Sequence, residues 1–128
     1  SILHQIKNIH CLGSKRPEEL PAYVHYFDVC MNPQIINELT KGNYPRKIDE
    51  YLSTGKPVVA SYTPTMEVFK NHCYLAKNIS DYILQIKKAL TENNSSLQRS
   101  RIQFASSHTW EENVAKISNA TLQFKKFI

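Results

Sequence analysis

The sequence predicts an α/β domain, a Rossmann-like parallel sheet of about four short strands with flanking helices. Three observations carry that expectation. Short apolar runs rich in Val, Ile and Leu recur along the 128 residues, and each is followed by a helical pattern. The stretch Tyr44 to Ser61 sets a helix start, an amphipathic helix, a glycine stop and a β-branched strand in immediate succession. A composition of 41% hydrophobic and 21% charged residues is that of one globular domain with a single core.

Taken in order, Ser1 to Lys7 carries Ile2, Leu3 and Ile6 at the spacing of a helix tail. Asn8 to Gly13 reads as a first strand ending in glycine. Arg16-Pro17-Glu18-Glu19 opens a helix, with proline at its start and carboxylates facing the dipole. Leu20, Val24 and Phe27 form its predicted buried stripe. Asp28 to Met31 is the second strand, stopped by Asn32-Pro33, and residues 34–43 form a polar connection of the kind that often carries binding residues.

The central helix begins at Pro45 and buries Ile48, Tyr51 and Leu52, while Lys47 and Glu50 share its polar face. Gly55 supplies the left-handed residue that ends it, and Pro57 to Ser61 is the third strand. Thr63-Pro64-Thr65 is a turn, Met66 to Asn71 a short helix, and Cys73 to Ala76 the fourth strand. Ser80 is the expected cap of a helix through Leu90, with Ile79 and Leu84 as a staple and Tyr82, Ile83, Ile86 and Leu90 buried. After a loop at Asn93 to Ser96, Leu97 to Ala105 is helical. Thr109 and Glu112 form a capping box that opens a last helix within residues 109–128.

Several function classes are disfavoured by the residues themselves. Cys11, Cys30 and Cys73 show no C-x-x-C spacing and are odd in number, so free thiols in a reducing compartment are expected. His4, His10, His25, His72 and His108 lack ligand or triad spacing; His108, just before the capping box, is the one with the best case for a role. No metal is expected. A net charge of +5 favours anionic partners, but no basic stripe, zinc-finger spacing or aromatic RNA motif points to nucleic acid. No G-x-G-x-x-G follows a strand, which argues against dinucleotide binding. The start of the central helix, around Asn43 to Lys47, is the natural place for an anionic ligand.

The order of these signals resembles the C-terminal domain of GT-B-fold glycosyltransferases, in particular the large retaining family 4 that includes sucrose synthases and bacterial cell-surface sugar transferases. Asn8-Ile9-His10-Cys11-Leu12-Gly13, Glu18 to Tyr23 and Asp28 to Pro33 resemble successive elements of that domain. The most specific block is Pro45-Arg46-Lys47-Ile48-Asp49-Glu50-Tyr51-Leu52 with Gly55-Lys56-Pro57-Val58-Val59-Ala60, and His108-Thr109-Trp110 resembles the family's late "h-s-W".

The resemblance implies that residues 1–128 are a donor-binding domain for a nucleotide-diphosphate sugar, without a metal or other cofactor. Glu50 would hold the nucleotide ribose. Asn43, Tyr44 and Lys47 would meet the diphosphate, and Gly13, Ser14 and Lys15 would lie beside the base. One departure stands out: many members carry a carboxylate eight positions before the ribose glutamate, and here that position is Gly42. Glu38 is a candidate substitute.

The family's two preceding strands, with their basic pair, and its N-terminal acceptor domain have no counterpart in this sequence. The resemblance therefore implies a polypeptide without transferase activity by itself, partnered by the missing acceptor domain. An unpaired sheet edge is also a route to self-association. The implied setting is cytoplasmic, in cell-surface polysaccharide or glycoconjugate synthesis. Lys125-Lys126 beside Phe124 and Phe127 suit contact with an anionic membrane face and equally a frayed helix end. The alternative reading is a non-catalytic nucleotide- or partner-binding module, which Gly42 favours.

Overall fold

A computed structural model of the chain describes residues 2–125. Its sheet has three parallel strands, β1 (Cys30–Asn32), β2 (Val58–Ser61) and β3 (Tyr74–Ala76), in spatial order β1-β2-β3. Cys30 pairs with Val58 and Val59 with Tyr74. The helices are α1 (Leu20–His25), α2 (Arg46–Ser53), α3 (Ile79–Glu92), α4 (Ser95–Ser106) and α5 (Trp110–Lys125), with short 3-10 turns at Ile2–Gln5, Pro17–Glu19 and Pro64–Phe69. The α/β class and its flanked parallel sheet follow the expectation from sequence.

The core lies between the sheet and the α2–α4 layer. Ile48, Leu52, Val58, Ala60 and Phe69 are fully buried there with Cys30. Alternation along β2 sends Val58 and Ala60 to this side and Val59 and Ser61 to the other, where α3 packs against β2 and β3. Two-sided cover explains why Val58-Val59-Ala60 has no polar member.

The first of the four expected strands does not form. Asn8 to Gly13 runs without a strand partner, and Ile9 and Leu12 are exposed. A strand is stable only when its backbone groups are paired in a ladder, and among the described residues nothing lies beside this segment to pair with it. For the same reason the stripe of α1 is thinner than expected: Val24 is buried, while Leu20 and Phe27 are exposed.

Helix boundaries also moved. α3 is capped by Asn78, not Ser80: the Asn78 side chain accepts the Asp81 N–H at 2.9 Å, and the Asp81 carboxylate accepts the Lys77 N–H at 2.9 Å. This reciprocal pair satisfies two orphan donors, which a cap at Ser80 would leave open. Starting the helix earlier turns Ile79 (83% exposed) and Leu84 (61% exposed) outwards, so they form no staple. Ile83 and Leu90 are exposed as well, and Ala89 is the buried residue of α3.

The predicted four-residue loop at 93–96 shrinks to Asn93-Asn94. The Asn94 side chain accepts from the Ser96 and Leu97 N–H groups at 3.0 Å each and starts α4 at Ser95. The expected helix at Met66–Asn71 is instead the 3-10 turn Pro64–Phe69.

Thr109 does cap α5, its hydroxyl accepting the Glu112 N–H at 3.3 Å. The apolar stripe of α5, Trp110, Val114, Ile117 and Phe124, is exposed throughout. Lys126 and Phe127 lie outside the described residues.

Gly55 has φ +76, the left-handed conformation that the sequence assigned to it. A Cβ there would press on Gln98 Cβ and Ile102 Cδ1 at 3.3 Å each, and the positive φ favours glycine whatever the space. Gly55→Ala is expected to destabilise the fold by about 1–2 kcal/mol and to lower Tm by roughly 3–8 °C. A Tm equal to wild type in a thermal melt would contradict this account.

Candidate functional site

A cleft of about 380 Å³ opens where the carboxyl end of β1 meets the start of α2. Asn32, Pro33 and Gln34 form one wall; Asn43, Tyr44, Pro45, Arg46, Lys47 and Glu50 form the other. Four residues proposed from sequence, Asn43, Tyr44, Lys47 and Glu50, thus come together in one place. Helical spacing explains part of this: Lys47 and Glu50 are three positions apart, so both lie on the face opposite buried Ile48 and Leu52. Neither the Lys47 ammonium nor the Glu50 carboxylate has a partner among the described side chains, so both are available to a ligand.

Long-range bonds hold the cleft walls in place. Ser61 Oγ, at the end of β2, accepts the Gln34 N–H at 2.9 Å and fixes the chain leaving β1. The Thr65 hydroxyl lies 3.1 Å from the Asn43 carbonyl oxygen and 3.3 Å from that of Lys41, and donates to this pair of acceptors. Buried Thr63 sits behind it at 2.9 Å. The turn after β2 therefore anchors the residues that enter α2.

Asp49 anchors the helix from its other side. Its Oδ2 accepts the Tyr44 hydroxyl at 2.7 Å, and its Oδ1 lies 3.2 Å from His108 Nδ1, with both side chains 19% exposed. Burial, reinforced by the Asp49 contact, pushes the Tyr44 phenol well above its usual range, so it stays a neutral donor. His108 also meets Phe104 edge-on, with ring centroids 4.4 Å apart. The histidine singled out by its place in the sequence is thus tied to a cleft residue through Asp49.

Other sequence candidates lie elsewhere. Gly13, Ser14 and Lys15 do not line the cleft; Gly13 has φ +69, and the Lys15 ammonium sits 5.3 Å from the centre of the Tyr23 ring. Glu38 is exposed, pairs with Lys41 and does not line the cleft either. A Cβ at Gly42 would meet nothing within 4 Å, so packing does not demand glycine there.

Asn32 and Pro33, read from sequence only as the stop of a strand, line the cleft, together with Gln34 of the polar connection and Arg46 of the helix start. The side chain of Arg101 is buried.

No group of three or more His, Cys, Asp or Glu among the described residues is arranged to hold a metal. No described helix is long and apolar enough to cross a membrane.

A Bacillus subtilis (strain 168) protein that carries the provisional name teichuronic acid biosynthesis glycosyltransferase TuaH is 28% identical to this chain over 95 residues. The match covers 71% of the chain. The chain is similar to a glycosyltransferase. It spans about a quarter of that relative's length, 24%. No family model matches the chain, and no solved structure does.

The cysteines show no sign of catalytic activation. Burial pushes Cys30 up to about 11 and Cys73 up to about 12, against an ordinary value of 9.0, so both are protonated at neutral pH. Cys11 is exposed. A thiol reagent at pH 7 should label one cysteine per native chain and three after denaturation. Two labels on the native chain would contradict the burial of Cys30 and Cys73. The unfolded chain releases these thiol protons near the ordinary value while the folded chain keeps them. Stability should therefore decline as pH rises above about 9, a loss that denaturant titrations at pH 7 and pH 10 would detect.

Proposed function

We propose that this chain is the donor-binding part of a glycosyltransferase that moves a sugar from a nucleotide-diphosphate donor to an acceptor. The observation that carries the reading is the cleft itself, with free Glu50 and Lys47 set beside the first turn of α2. A carboxylate accepts two adjacent ribose hydroxyls through its two oxygens, and only a carboxylate or similar acceptor does so without adding a donor. The diphosphate would lie at the start of α2, where helix geometry leaves backbone N–H groups unpaired and Arg46 and Lys47 add positive charge. Tyr44, held by Asp49, forms the wall beside it. Similarity to a protein named as a glycosyltransferase supports the same class. A role in making cell-surface polysaccharide or glycoconjugate, at the cytoplasmic membrane face, completes the proposal.

In this mechanism the residues act by placing the donor and by stabilising charge on the leaving diphosphate, with no metal ion required. The described cleft contains one carboxylate, Glu50, since position 42 is glycine and Glu38 is engaged with Lys41. That observation favours a second reading, in which the domain binds the nucleotide and a separate part of the protein supplies whatever touches the transferred sugar. On either reading this chain by itself turns over no donor; steady donor hydrolysis by the purified chain would sink that conclusion.

Calorimetric titration with uridine and guanosine diphosphates, wild type beside Glu50→Ala, tests the site. Binding in the micromolar to millimolar range is expected for one of the two bases. Losing charge-assisted hydrogen bonds worth about 1.5–3 kcal/mol should weaken it roughly 10- to 100-fold in the variant. Undiminished binding by Glu50→Ala would remove Glu50 from the ribose and overturn the assignment.

A further inference from the structure

At the opposite edge of the sheet, β3, α3 and α4 enclose a second cavity of about 500 Å³ that shares no lining residue with the cleft. Arg101 forms part of its wall and is 3% exposed. Arg101 Nη1 donates to the Gly55 carbonyl at 3.1 Å and to Asn93 Oδ1 at 2.8 Å. Both acceptors are neutral. The Tyr74 hydroxyl, 3.5 Å from Glu92 Oε2, is a further neutral neighbour. Among the described residues no carboxylate lies within ion-pair distance of this guanidinium. A buried cation ordinarily has an anion for a partner, because dipoles alone offset its desolvation poorly.

The rest of the lining adds positive charge. Lys70, Lys77 and Lys88 join Arg101, against Glu67 and Glu92. The Lys70–Glu67 and Lys88–Glu92 pairs, at 3.5 and 3.9 Å, are exposed and contribute little. Lys77 makes no ion pair among the described residues but lies near Glu67 and Asp81, whose charged forms it favours, and its ammonium is 5.1 Å from the centre of the Tyr62 ring. Four cations line the cavity against two carboxylates, and the buried guanidinium among them lacks an anion, a balance that suits a phosphate better than a neutral molecule. Asn71, Gln85 and Ser100 bring amide and hydroxyl groups that both donate and accept, as sugar hydroxyls require. The volume is that of a small-molecule site.

We propose that this cavity binds a phosphorylated, sugar-sized molecule, its phosphate between Arg101 and the rim lysines and its hydroxyls against Asn71, Gln85 and Ser100. The proposal does not depend on the nucleotide cleft. A purely structural Arg101, tying α4 to the end of α2, would need one guanidinium nitrogen and none of the lysines.

The test is calorimetry on the whole chain with glucose 1-phosphate, inorganic phosphate and glucose. Because Arg101 variants risk unfolding, the rim is altered instead: Lys70→Gln, Lys77→Gln and Lys88→Gln together. Lys7→Gln, Lys87→Gln and Lys116→Gln together remove the same charge elsewhere. Glucose 1-phosphate should bind, inorganic phosphate more weakly, and glucose not at all. The rim variant should lose about 10-fold or more in affinity and the control variant little. His72 lines the cavity and stacks on Phe104 with centroids 4.1 Å apart, so its ring resonances should shift on binding. No binding of glucose 1-phosphate at millimolar concentration would overturn the proposal. Equal losses in the two variants, or unmoved His72 resonances on binding, would overturn it as well.

Discussion

The fixed seating of α2 is the constraint on which the rest of the structure depends. Its inner face is set by burial of Ile48 and Leu52 against the sheet. Its two ends are then held separately. Thr65 holds the carbonyls of Lys41 and Asn43 ahead of the helix, and Arg101 holds the Gly55 carbonyl after it. With both ends fixed and one face buried, the polar face has a single direction left, towards the carboxyl end of β1. Lys47 and Glu50 reach the cleft for that reason. Among the described residues, their side chains make no hydrogen bond or ion pair that would place them there.

Features encoded within a few residues were legible in the sequence. Pro45, the 3.6-residue stripe and Gly55 define α2 locally, and an all-apolar run flanked by turn residues defines β2. Where two local signals compete, sequence alone chose wrongly: Asn78 and Ser80 are both good caps, and the choice falls to the one whose partner, Asp81, can answer it. Strand status was legible only where a neighbour exists. Asn8 to Gly13 has a strand's composition, but β structure is a property of pairs.

The candidate site was half legible for the same reason. Glu50 and Lys47 carry their signal in spacing, while Asp49 and His108 meet across 59 positions and Arg101 and Gly55 across 46. No window on the chain contains both members of such a pair. Nothing in the sequence around Arg101 shows that the fold uses its length to cross the interior. The two cavities differ in this respect. The cleft is built from two short segments, the end of β1 and the start of α2, whereas the cavity at the opposite edge draws on β3, α3, α4 and the turn before β3.

Strand order along the chain and strand order in space coincide, with β2 pairing first to its predecessor and then to its successor. No strand must be threaded between two already in place. The sheet can grow at one edge as the polypeptide leaves the ribosome, each addition closing a short loop at modest entropic cost. α2 lies within the first of those loops and α3 follows the last strand. Enclosure of α2 waits for α4, which packs on it and supplies Arg101 to the Gly55 carbonyl. The strands that flank the cleft helix therefore leave the ribosome well before the helix that completes its seat.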